Sequence, residues 1–351
     1  MTTNERYARM YEHREADRIP VIDGPWPETI DRWVREGMPS RDHVAYFGLE
    51  KTVGIRADFS PRYESKILKE TDTDKIYTTG WGATQRSFKR AASTPEFLGF
   101  TIIDRESWAG AKARMVPSKD RVDWKLLQDN YGNWKKEGYW ISAYGFFGFD
   151  VTHSWVTGTE RLLMALLEDP EWCYDIFNTC LDMNIAMFDM VWDAGYHFDE
   201  LHWCDDMGYK GKQFFSLSVY RELVKPVHKR AIEWAHTKGV KTRLHSCGNI
   251  GVFIPELIEI GLDALNPLEV KSGMDPLAIK KQYGGDLVLH GGVNAVLYDD
   301  AEAIVEEIKR VVPEMKRGGG YIFSSDHSVP DSVSLENFRQ IIEAAKKYGT
   351  Y

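Results

Sequence analysis

Cysteine is scarce in this chain, with four residues among 351: Cys173, Cys180, Cys204 and Cys247. Small secreted domains held by disulfides carry far more cysteine for their length. The low count excludes a disulfide scaffold and predicts free thiols. Cys173 and Cys180 lie on one apolar helical face, where we expect them to pack as small hydrophobic side chains. Cys204 is expected to pack as well, with a role as a spare metal ligand left open.

Long apolar runs and basic clusters are missing too. No window holds about 18 uncharged apolar residues, and residues 1–20 lack the apolar core of a signal peptide. Lys and Arg together number 44 against 53 Asp and Glu, which gives a formal net charge of -9. This balance argues against nucleic acid or an anionic membrane as the main partner. The composition predicts a soluble, cytoplasmic protein that binds a small molecule.

Short apolar runs alternate with amphipathic helices along most of the chain, which is typical of an α/β fold with a parallel sheet. The predicted strands are residues 18–23, 52–57, 139–144, 198–204, 240–246, 262–267, 286–291 and 320–325. Eight strands with helices between them predict a (β/α)8 TIM barrel, formed by residues 1–351 as a single domain. Residues 59–136 break the repeat. We expect them to form an insertion between the second and third barrel strands, with a small antiparallel hairpin and helices that cap the barrel mouth.

The stretch RLHSCGN, residues 243–249, ends the fifth predicted strand. Active sites of this fold lie at the carboxyl ends of the strands. Residues i and i+2 of a strand point to the same side, so His245 and Cys247 are expected to face one point. A nitrogen and a thiolate suit zinc, although a lone H-x-C also fits a satisfied histidine beside a buried thiol. His327, which follows Asp326 at the end of the eighth predicted strand, is available as a third ligand.

The chain resembles the uroporphyrinogen decarboxylase superfamily, in particular its corrinoid-linked methyltransferase branch. The resemblance covers about residues 140–351 and rests on motifs that this sequence carries: H-x-C-G-N at 245–249, DALNPLE at 263–269, GGVN at 291–294, GGGYI at 318–322 and SLEN at 334–337. It implies that zinc is held by His245, Cys247 and a later residue. Counting ten residues back from Asn337 gives His327, where those relatives have cysteine.

This exchange of histidine for cysteine has a chemical consequence. One thiolate fewer leaves the metal more electrophilic and less suited to activating a thiol, so coenzyme M is disfavoured as the acceptor. The resemblance to the decarboxylase itself is weaker, because residues 19–33 lack the M-R-Q-A-G-R pattern of that enzyme. Arg32 and Arg35 in this region are expected to lie on a solvated helix face.

Other polar residues at strand ends are candidates for catalysis or binding. Asp206 is expected to orient a ligand or bind substrate, with capping of the next turn as the alternative. Glu269 is a candidate general acid or fourth metal ligand. His290 and Asn294 are candidate substrate contacts, with backbone hydrogen bonding near Gly291 and Gly292 as the alternative. An aromatic segment predicts an apolar substrate pocket, to which we assign Tyr144, Phe146, Phe147, His153 and Trp26, although ordinary packing is an alternative for each.

The predicted function is zinc-dependent transfer of a methyl group from a small methylated substrate, with a methoxylated aromatic favoured, to the cobalt of a corrinoid protein. The chain contains no D-x-H-x-x-G corrinoid-binding sequence. Cobalamin is therefore expected on a separate protein that docks transiently, or free in solution. Two alternatives stay open, a uroporphyrinogen-type decarboxylase and a non-catalytic barrel stabilised by zinc. The sequence leaves the oligomeric state undecided, with a homodimer among the options.

Overall fold

The computed structural model describes residues 1–89 and 93–351. Residues 90–92, which belong to the predicted insertion, lie outside the described residues. In chain order the strands are β1 (Thr52–Ile55), β2 (Ile67–Glu70), β3 (Asp74–Thr78), β4 (Ala83–Phe88), β5 (Glu96–Phe100), β6 (Trp140–Phe146), β7 (Glu200–Cys204), β8 (Gly208–Tyr209), β9 (Lys212–Gln213), β10 (Lys241–His245), β11 (Ala264–Asn266), β12 (Val288–His290) and β13 (Tyr321–Ile322).

Helices separate most of these strands. They are α1 (Thr3–Tyr11), α2 (Pro27–Arg35), α3 (His43–Phe47), α4 (Arg105–Lys112), α5 (Trp124–Lys136), α6 (Phe149–Val151), α7 (Thr159–Glu168), α8 (Pro170–Asp193), α9 (Leu217–Val219), α10 (Lys225–Thr237), α11 (Ile254–Glu259), α12 (Pro276–Tyr283), α13 (Ala301–Met315) and α14 (Leu335–Gly349). In the part of the chain that the structure describes, no helix has the length and apolarity needed to cross a membrane.

A curled, seven-stranded parallel sheet forms the centre of the fold, in the order β1-β6-β7-β10-β11-β12-β13. Seven of the eight predicted strands lie in this sheet, which confirms the α/β class. The eighth, residues 18–23, is not a regular strand. Its Val21 forms a single parallel bridge with Phe323, and the N–H of Glu50 donates to the carbonyl of Val21 at 3.0 Å. Pro20 lacks an N–H group, which limits ladder pairing here.

Helix α1 covers the amino ends of the parallel strands. Its buried Tyr7, Met10 and Tyr11 form an apolar cluster with side chains that begin strands β6, β11 and β12. The Tyr7 and Tyr11 rings stack on Trp140, with ring centroids 5.2 and 5.4 Å away. This packing closes the amino end of the sheet and leaves the carboxyl ends of the strands for a functional site.

The chain between β1 and β6 forms a four-stranded antiparallel sheet in the order β2-β3-β4-β5, followed by α4 and α5. The expected small hairpin is therefore a larger sheet, because β4 pairs on both sides. This second sheet packs against the segment that follows β6. The Trp81 ring lies 5.9 Å from the Phe146 ring, and the Phe97 ring lies 5.6 Å from that of Trp155. Residues of the second sheet thus reach the carboxyl end of the parallel sheet.

Candidate metal site and its two cavities

His245 is the last residue of β10 and pairs in register with Asn266, the last residue of β11. The Nδ1 atom of His245 lies 2.6 Å from the Oδ1 atom of Asn266. The amide nitrogen of Asn266 donates to the carbonyl of His290 at 3.3 Å, so its oxygen is the atom that faces His245. His245 therefore donates from Nδ1, and its Nε2 atom keeps a free lone pair, which is the form of histidine that binds a metal.

Cys247 and Asp206 meet this lone pair. The Cys247 Sγ atom lies 3.4 Å from His245 Nε2, and an oxygen of Asp206 lies 3.8 Å from the same nitrogen. Asp206 also accepts a hydrogen bond from the backbone N–H of Cys247 at 2.7 Å. One ligand atom from each residue lies within 4.8 Å of the other two. Nitrogen, sulfur and carboxylate oxygen are all zinc ligands, so this donor set suits zinc.

The loop after Cys247 is held by two contacts. The N–H of Gly248 donates to the buried Glu269 carboxylate at 2.5 Å. Gly248 has a φ of +83°, and a Cβ atom there would lie 2.1 Å from the carbonyl carbon of Gly208. Glycine is needed here because of the positive φ and because a Cβ atom would collide with Gly208. Glu269, predicted as a ligand or general acid, is placed as an acceptor that fixes the Cys247 loop.

Burial raises the pKa of the Cys247 thiol well above its ordinary value, and the carboxylates of Asp206 and Glu269 raise it further. Burial also raises the pKa of Asp206, and Asp150 adds to the shift, while His245 opposes it. A divalent cation would reverse this balance, because it favours the thiolate and the carboxylate. The charges of the cluster therefore fit a metal site.

Two cavities open beside the cluster, and His245 lines both. The first, which we call the polar cavity, has a volume of about 250 Å³ and is lined by Asp23, His245, Cys247, Asn266, His290 and His327, among others. The second, which we call the aromatic cavity, has a volume of about 410 Å³ and is lined by Arg56, Trp81, Tyr144, Phe146, Trp155 and Asp206, among others. The candidate metal ligands thus stand between a polar and an aromatic compartment.

Four of the predicted site residues lie along these cavities beside the cluster. His290 and His327 line the polar cavity, and Tyr144 and Phe146 line the aromatic cavity. The His327 side chain is exposed. The ligand atoms that cluster belong to Asp206, His245 and Cys247, so Asp206 and not His327 is the third member of the cluster. Asp326, its neighbour, is fully buried and accepts hydrogen bonds from two backbone N–H groups, so it has a structural role.

Four other predicted substrate contacts line neither cavity. Phe147, the residue that follows β6, is fully buried, and its ring stacks on that of Trp203 with centroids 5.5 Å apart, on the opposite side of the chain from Phe146. His153 lies 3.3 Å from Asp150. Trp26 precedes α2 and donates from its backbone N–H to Val329. Asn294 accepts a hydrogen bond from the N–H of Val296 at 3.1 Å, which caps a short turn.

Asp23 and Arg56 line the cavities but were not predicted from the sequence. Asp23 is buried in the wall of the polar cavity, where its carboxylate accepts hydrogen bonds from Tyr298 and Ser325. Arg56 follows β1, and its guanidinium lies 4.2 Å from the centre of the Tyr144 ring in the aromatic cavity. Both are charged residues near the end of a predicted strand. His245 was selected because of that same position, so the same criterion could have identified Asp23 and Arg56.

Cys204 and the neighbouring Asp205 contribute to the framework of the site. The Cys204 Sγ atom lies 2.9 Å from the Tyr144 hydroxyl. Asp205 is fully buried and lies 2.8 Å from His228 of α10. All four cysteines are free thiols, and Cys173 and Cys180 are fully buried as predicted. Asp205 therefore anchors the end of β7, which leaves Asp206 as the carboxylate that faces the cluster.

The parallel sheet thus carries, at the carboxyl ends of its strands, a cluster of nitrogen, sulfur and oxygen atoms that could hold a metal ion. The profile of the family described as uroporphyrinogen decarboxylase (URO-D) matches residues 149–348. The chain belongs to this family.

Individual relatives agree with this assignment, and one solved structure has a similar fold. A uroporphyrinogen decarboxylase from Protochlamydia amoebophila is 26% identical over 54% of this chain and 49% of its own length. One from Pseudomonas fluorescens is 25% identical over 40% of this chain and 38% of its own length. The chain spans about half or less of the length of these relatives. A methyltransferase from Methanosarcina mazei is 17% identical, with 99% of both chains covered and a TM-score of 0.66, which shows the same fold.

Proposed function

We propose that the chain is a zinc-dependent methyltransferase that moves a methyl group from a small methylated donor to the cobalt of a corrinoid protein. The observation that carries this proposal is the cluster of Asp206, His245 and Cys247 between the two cavities. A metal centre that only stabilises a fold is closed by four protein ligands, whereas a catalytic one keeps a position for substrate. A cluster that borders two cavities fits the catalytic kind.

The proposal includes a closed (β/α)8 barrel in which residues 18–23 occupy the first strand position. The hydrogen bond that the carbonyl of Val21 accepts from the N–H of Glu50 on one side, and the bridge from Val21 to Phe323 on the other, support it. Residues 59–136 would then be an insertion that caps the barrel mouth, and the packing of Trp81 on Phe146 supports that position. Residues 1–351 would form a single domain.

His245 and Cys247 would hold the zinc, together with Asp206 or with His327, the residue expected from the sequence. Zinc bound there would act as a Lewis acid on the heteroatom that the methyl group leaves. Asn266 holds the ring of His245 in the orientation that directs Nε2 toward the cluster. Asp206 holds the backbone of Cys247. These contacts place the donor atoms before a ligand arrives, so little reorganisation is needed.

The aromatic cavity would bind the methylated donor. Trp81, Phe146 and Trp155 supply flat apolar walls, since the rings of Trp81 and Trp155 both meet Phe146 edge-on, at 5.9 and 6.1 Å. Walls of this kind favour a methoxylated aromatic and exclude water from the reacting methyl group. The corrinoid would reach this methyl group on a partner protein that docks at the carboxyl ends of the strands and then leaves.

A spectroscopic assay tests the transfer. The protein is mixed with zinc, with cob(I)alamin or its corrinoid protein, and with a panel of methoxylated aromatics, methanol and methylamines. We expect conversion of cob(I)alamin to methylcobalamin with a methoxylated aromatic, and loss of that conversion in His245→Ala. His153→Ala is the matched control, because His153 lines neither cavity. The absence of conversion with every donor contradicts the proposal.

Zinc titration of single variants identifies the third ligand. If Asp206 is the ligand, Asp206→Ala lowers zinc affinity as strongly as Cys247→Ala does, and His327→Ala has little effect. The reverse pattern assigns His327. If Cys247→Ala leaves zinc affinity unchanged, the metal site proposed here is wrong.

The named relatives make uroporphyrinogen decarboxylation the second candidate. A porphyrinogen carries many carboxylates and needs a cationic cleft. The aromatic cavity has Arg56 but also Asp58, Asp150 and Asp206, and the polar cavity has Asp23. This charge balance opposes the second candidate. Incubation with uroporphyrinogen decides, since release of carbon dioxide without methyl transfer would favour the decarboxylase.

A further inference from the structure

Arg243 lies two residues before His245 on the same face of β10, beneath the candidate metal site. It is 9% exposed and pairs with Glu200 of β7, which is fully buried. The Nε and Nη2 atoms of Arg243 lie 3.0 and 2.8 Å from one oxygen of Glu200. Glu200 also accepts hydrogen bonds from Tyr11, Trp140 and Ser142. The guanidinium is therefore fixed in place and its charge is balanced.

The other N–H groups of Arg243 reach two histidines on neighbouring strands. Its Nη1 atom lies 3.2 Å from Nδ1 of His290, and its Nη2 atom lies 3.2 Å from Nδ1 of His202. A guanidinium stays protonated and only donates hydrogen bonds. Both Nδ1 atoms must therefore accept, which places the single ring proton of each histidine on Nε2. Burial, reinforced by the charge of Arg243, lowers the pKa of both histidines well below the ordinary value, in agreement with neutral rings.

The Nε2–H groups of His202 and His290 are therefore hydrogen-bond donors, and the acceptor of each has to be identified. The Nε2 atom of His202 is buried and has no hydrogen-bond partner within residues 1–89 and 93–351. His290 lines the polar cavity. Because Arg243 occupies its Nδ1 atom, Nε2 is the ring nitrogen of His290 that remains for a ligand.

An acceptor stands in the wall of the same cavity. The carboxylate of Asp23 is buried and receives hydrogen bonds from Tyr298 at 3.0 Å and from Ser325 at 2.5 Å. The polar cavity therefore offers a neutral donor in His290 and an acceptor in Asp23. The described residues that line this cavity include Asp23 but no lysine or arginine, and Arg243 beneath it is already paired with Glu200, so an anionic group beside Asp23 would be repelled by its carboxylate. A hydroxyl group, which can accept from His290 and donate to Asp23, fits better.

We propose that Arg243 is a positioning residue that holds His290 as an Nε2–H donor, and that the polar cavity is a subsite for a neutral hydroxyl group of the ligand. This names a substrate class for the same site, a neutral molecule that carries a hydroxyl besides its methyl group. This substrate class rests on the proposed function only in assuming that the ligand carries a methyl group. Binding of the hydroxyl requires no methyl transfer.

Nitrogen NMR of the full chain labelled with ¹⁵N-histidine tests the first half of the inference. His202→Gln and His290→Gln assign the two rings. At pH 7 we expect each ring to show one protonated and one unprotonated nitrogen, with the proton on Nε2. In Arg243→Lys, whose single amine cannot reach both rings as the guanidinium does, at least one ring should change its pattern. A proton on Nδ1 of His290 in the wild type overturns the inference even if Arg243→Lys fails to fold.

Binding of three probes of similar size tests the second half. Phenol carries a neutral hydroxyl, toluene has none, and benzoate is anionic. We expect phenol to shift the His290 Nε2 signal and to bind about tenfold more tightly than toluene or benzoate, the effect of one added hydrogen bond. His290→Leu should abolish the preference, and His290→Gln, which keeps a donor, should retain most of it.

Equal binding of phenol and toluene overturns the subsite, and tighter binding of benzoate overturns its neutral character. These outcomes are separate from the failure of the proposed function. A protein that shows the expected histidine signals and prefers phenol, but transfers no methyl group, keeps the subsite and loses the methyltransferase proposal.

Discussion

The Nδ1 atom of His245 lies 2.6 Å from the Oδ1 atom of Asn266, on the adjacent strand of the parallel sheet. The contact fixes which ring nitrogen faces Cys247 and Asp206. It also links the candidate metal site to the polar cavity, because the amide nitrogen of Asn266 donates to the carbonyl of His290. Asn266 is therefore the residue through which the sheet orients the ring of His245.

Asn266→Ala should weaken zinc binding without removing any ligand. Loss of a partner that orients a metal-binding histidine lowers metal affinity by about 10- to 100-fold. Competition with a chromophoric chelator measures the change. Asn294→Ala is the control, because Asn294 caps a turn and lines neither cavity. Equal zinc affinities for wild type and Asn266→Ala would show that the ring of His245 is oriented by other contacts.

Gly248→Ala should disrupt the loop that carries Cys247. The added Cβ atom would lie 2.1 Å from the carbonyl carbon of Gly208, and the residue has a φ of +83°. The backbone conformation alone costs roughly 1–2 kcal/mol for a residue other than glycine, and the clash adds to it. We expect the unfolding free energy, measured by urea denaturation, to fall by about 2 kcal/mol or more, and zinc binding to weaken.

Gly251→Ala is the matched control three residues later. The nearest atom to its added Cβ would be the Asn249 side-chain oxygen at 3.4 Å, and its φ is not positive. This variant should unfold at nearly the wild-type urea concentration. If Gly248→Ala is as stable as Gly251→Ala, the close approach to Gly208 does not constrain the loop.

The sequence was sufficient for most of the sheet and for part of the site. Apolar runs located seven strands, and the alternation of side chains placed His245 and Cys247 on one side of β10. The same alternation separates Phe146 from Phe147, so it should also have excluded Phe147 from the pocket. Residues 18–23 have the apolar pattern of a strand, but Pro20 has no N–H group to donate to a neighbouring strand.

The rest depends on partners that are distant in the sequence. Asp206 joins the cluster only because β7 pairs with β10. The pair of Glu200 and Arg243 joins residues separated by 43 positions, and local periodicity contains no information about such a contact. The exposure of His327 follows from Asp326 turning inward to bind the backbone N–H groups of Val270 and Ala295.

Phe147→Ala and Phe146→Ala should separate stability from ligand binding. Phe147 is fully buried on Trp203, and removal of a buried phenylalanine costs about 3–5 kcal/mol of unfolding free energy. Phe146 lines the aromatic cavity and is partly exposed, so its removal should cost less, about 1–2 kcal/mol. Urea denaturation measures both values. Binding of a methoxylated aromatic should weaken in Phe146→Ala, and an unchanged affinity there would remove Phe146 from the substrate site.

Asp23→Asn should change how stability depends on pH. Burial raises the pKa of Asp23 from 3.8 to about 6, against the hydrogen bonds from Ser325 and Tyr298 that lower it. The folded protein therefore binds a proton between about pH 4 and pH 6 that the unfolded chain has released, so this residue makes stability fall as pH rises through that window. Asn cannot ionise and removes the effect.

The measurement for Asp23→Asn is urea unfolding of both proteins from pH 4 to pH 7. A shift of about two pKa units corresponds to about 3 kcal/mol. The unfolding free energy of the variant, relative to wild type, should therefore rise by that order between pH 4 and pH 7. Asp299→Asn, which removes an exposed carboxylate, controls for the loss of one negative charge. A difference between Asp23→Asn and wild type that stays constant across this range would mean that Asp23 ionises in the folded protein as it does in the unfolded chain.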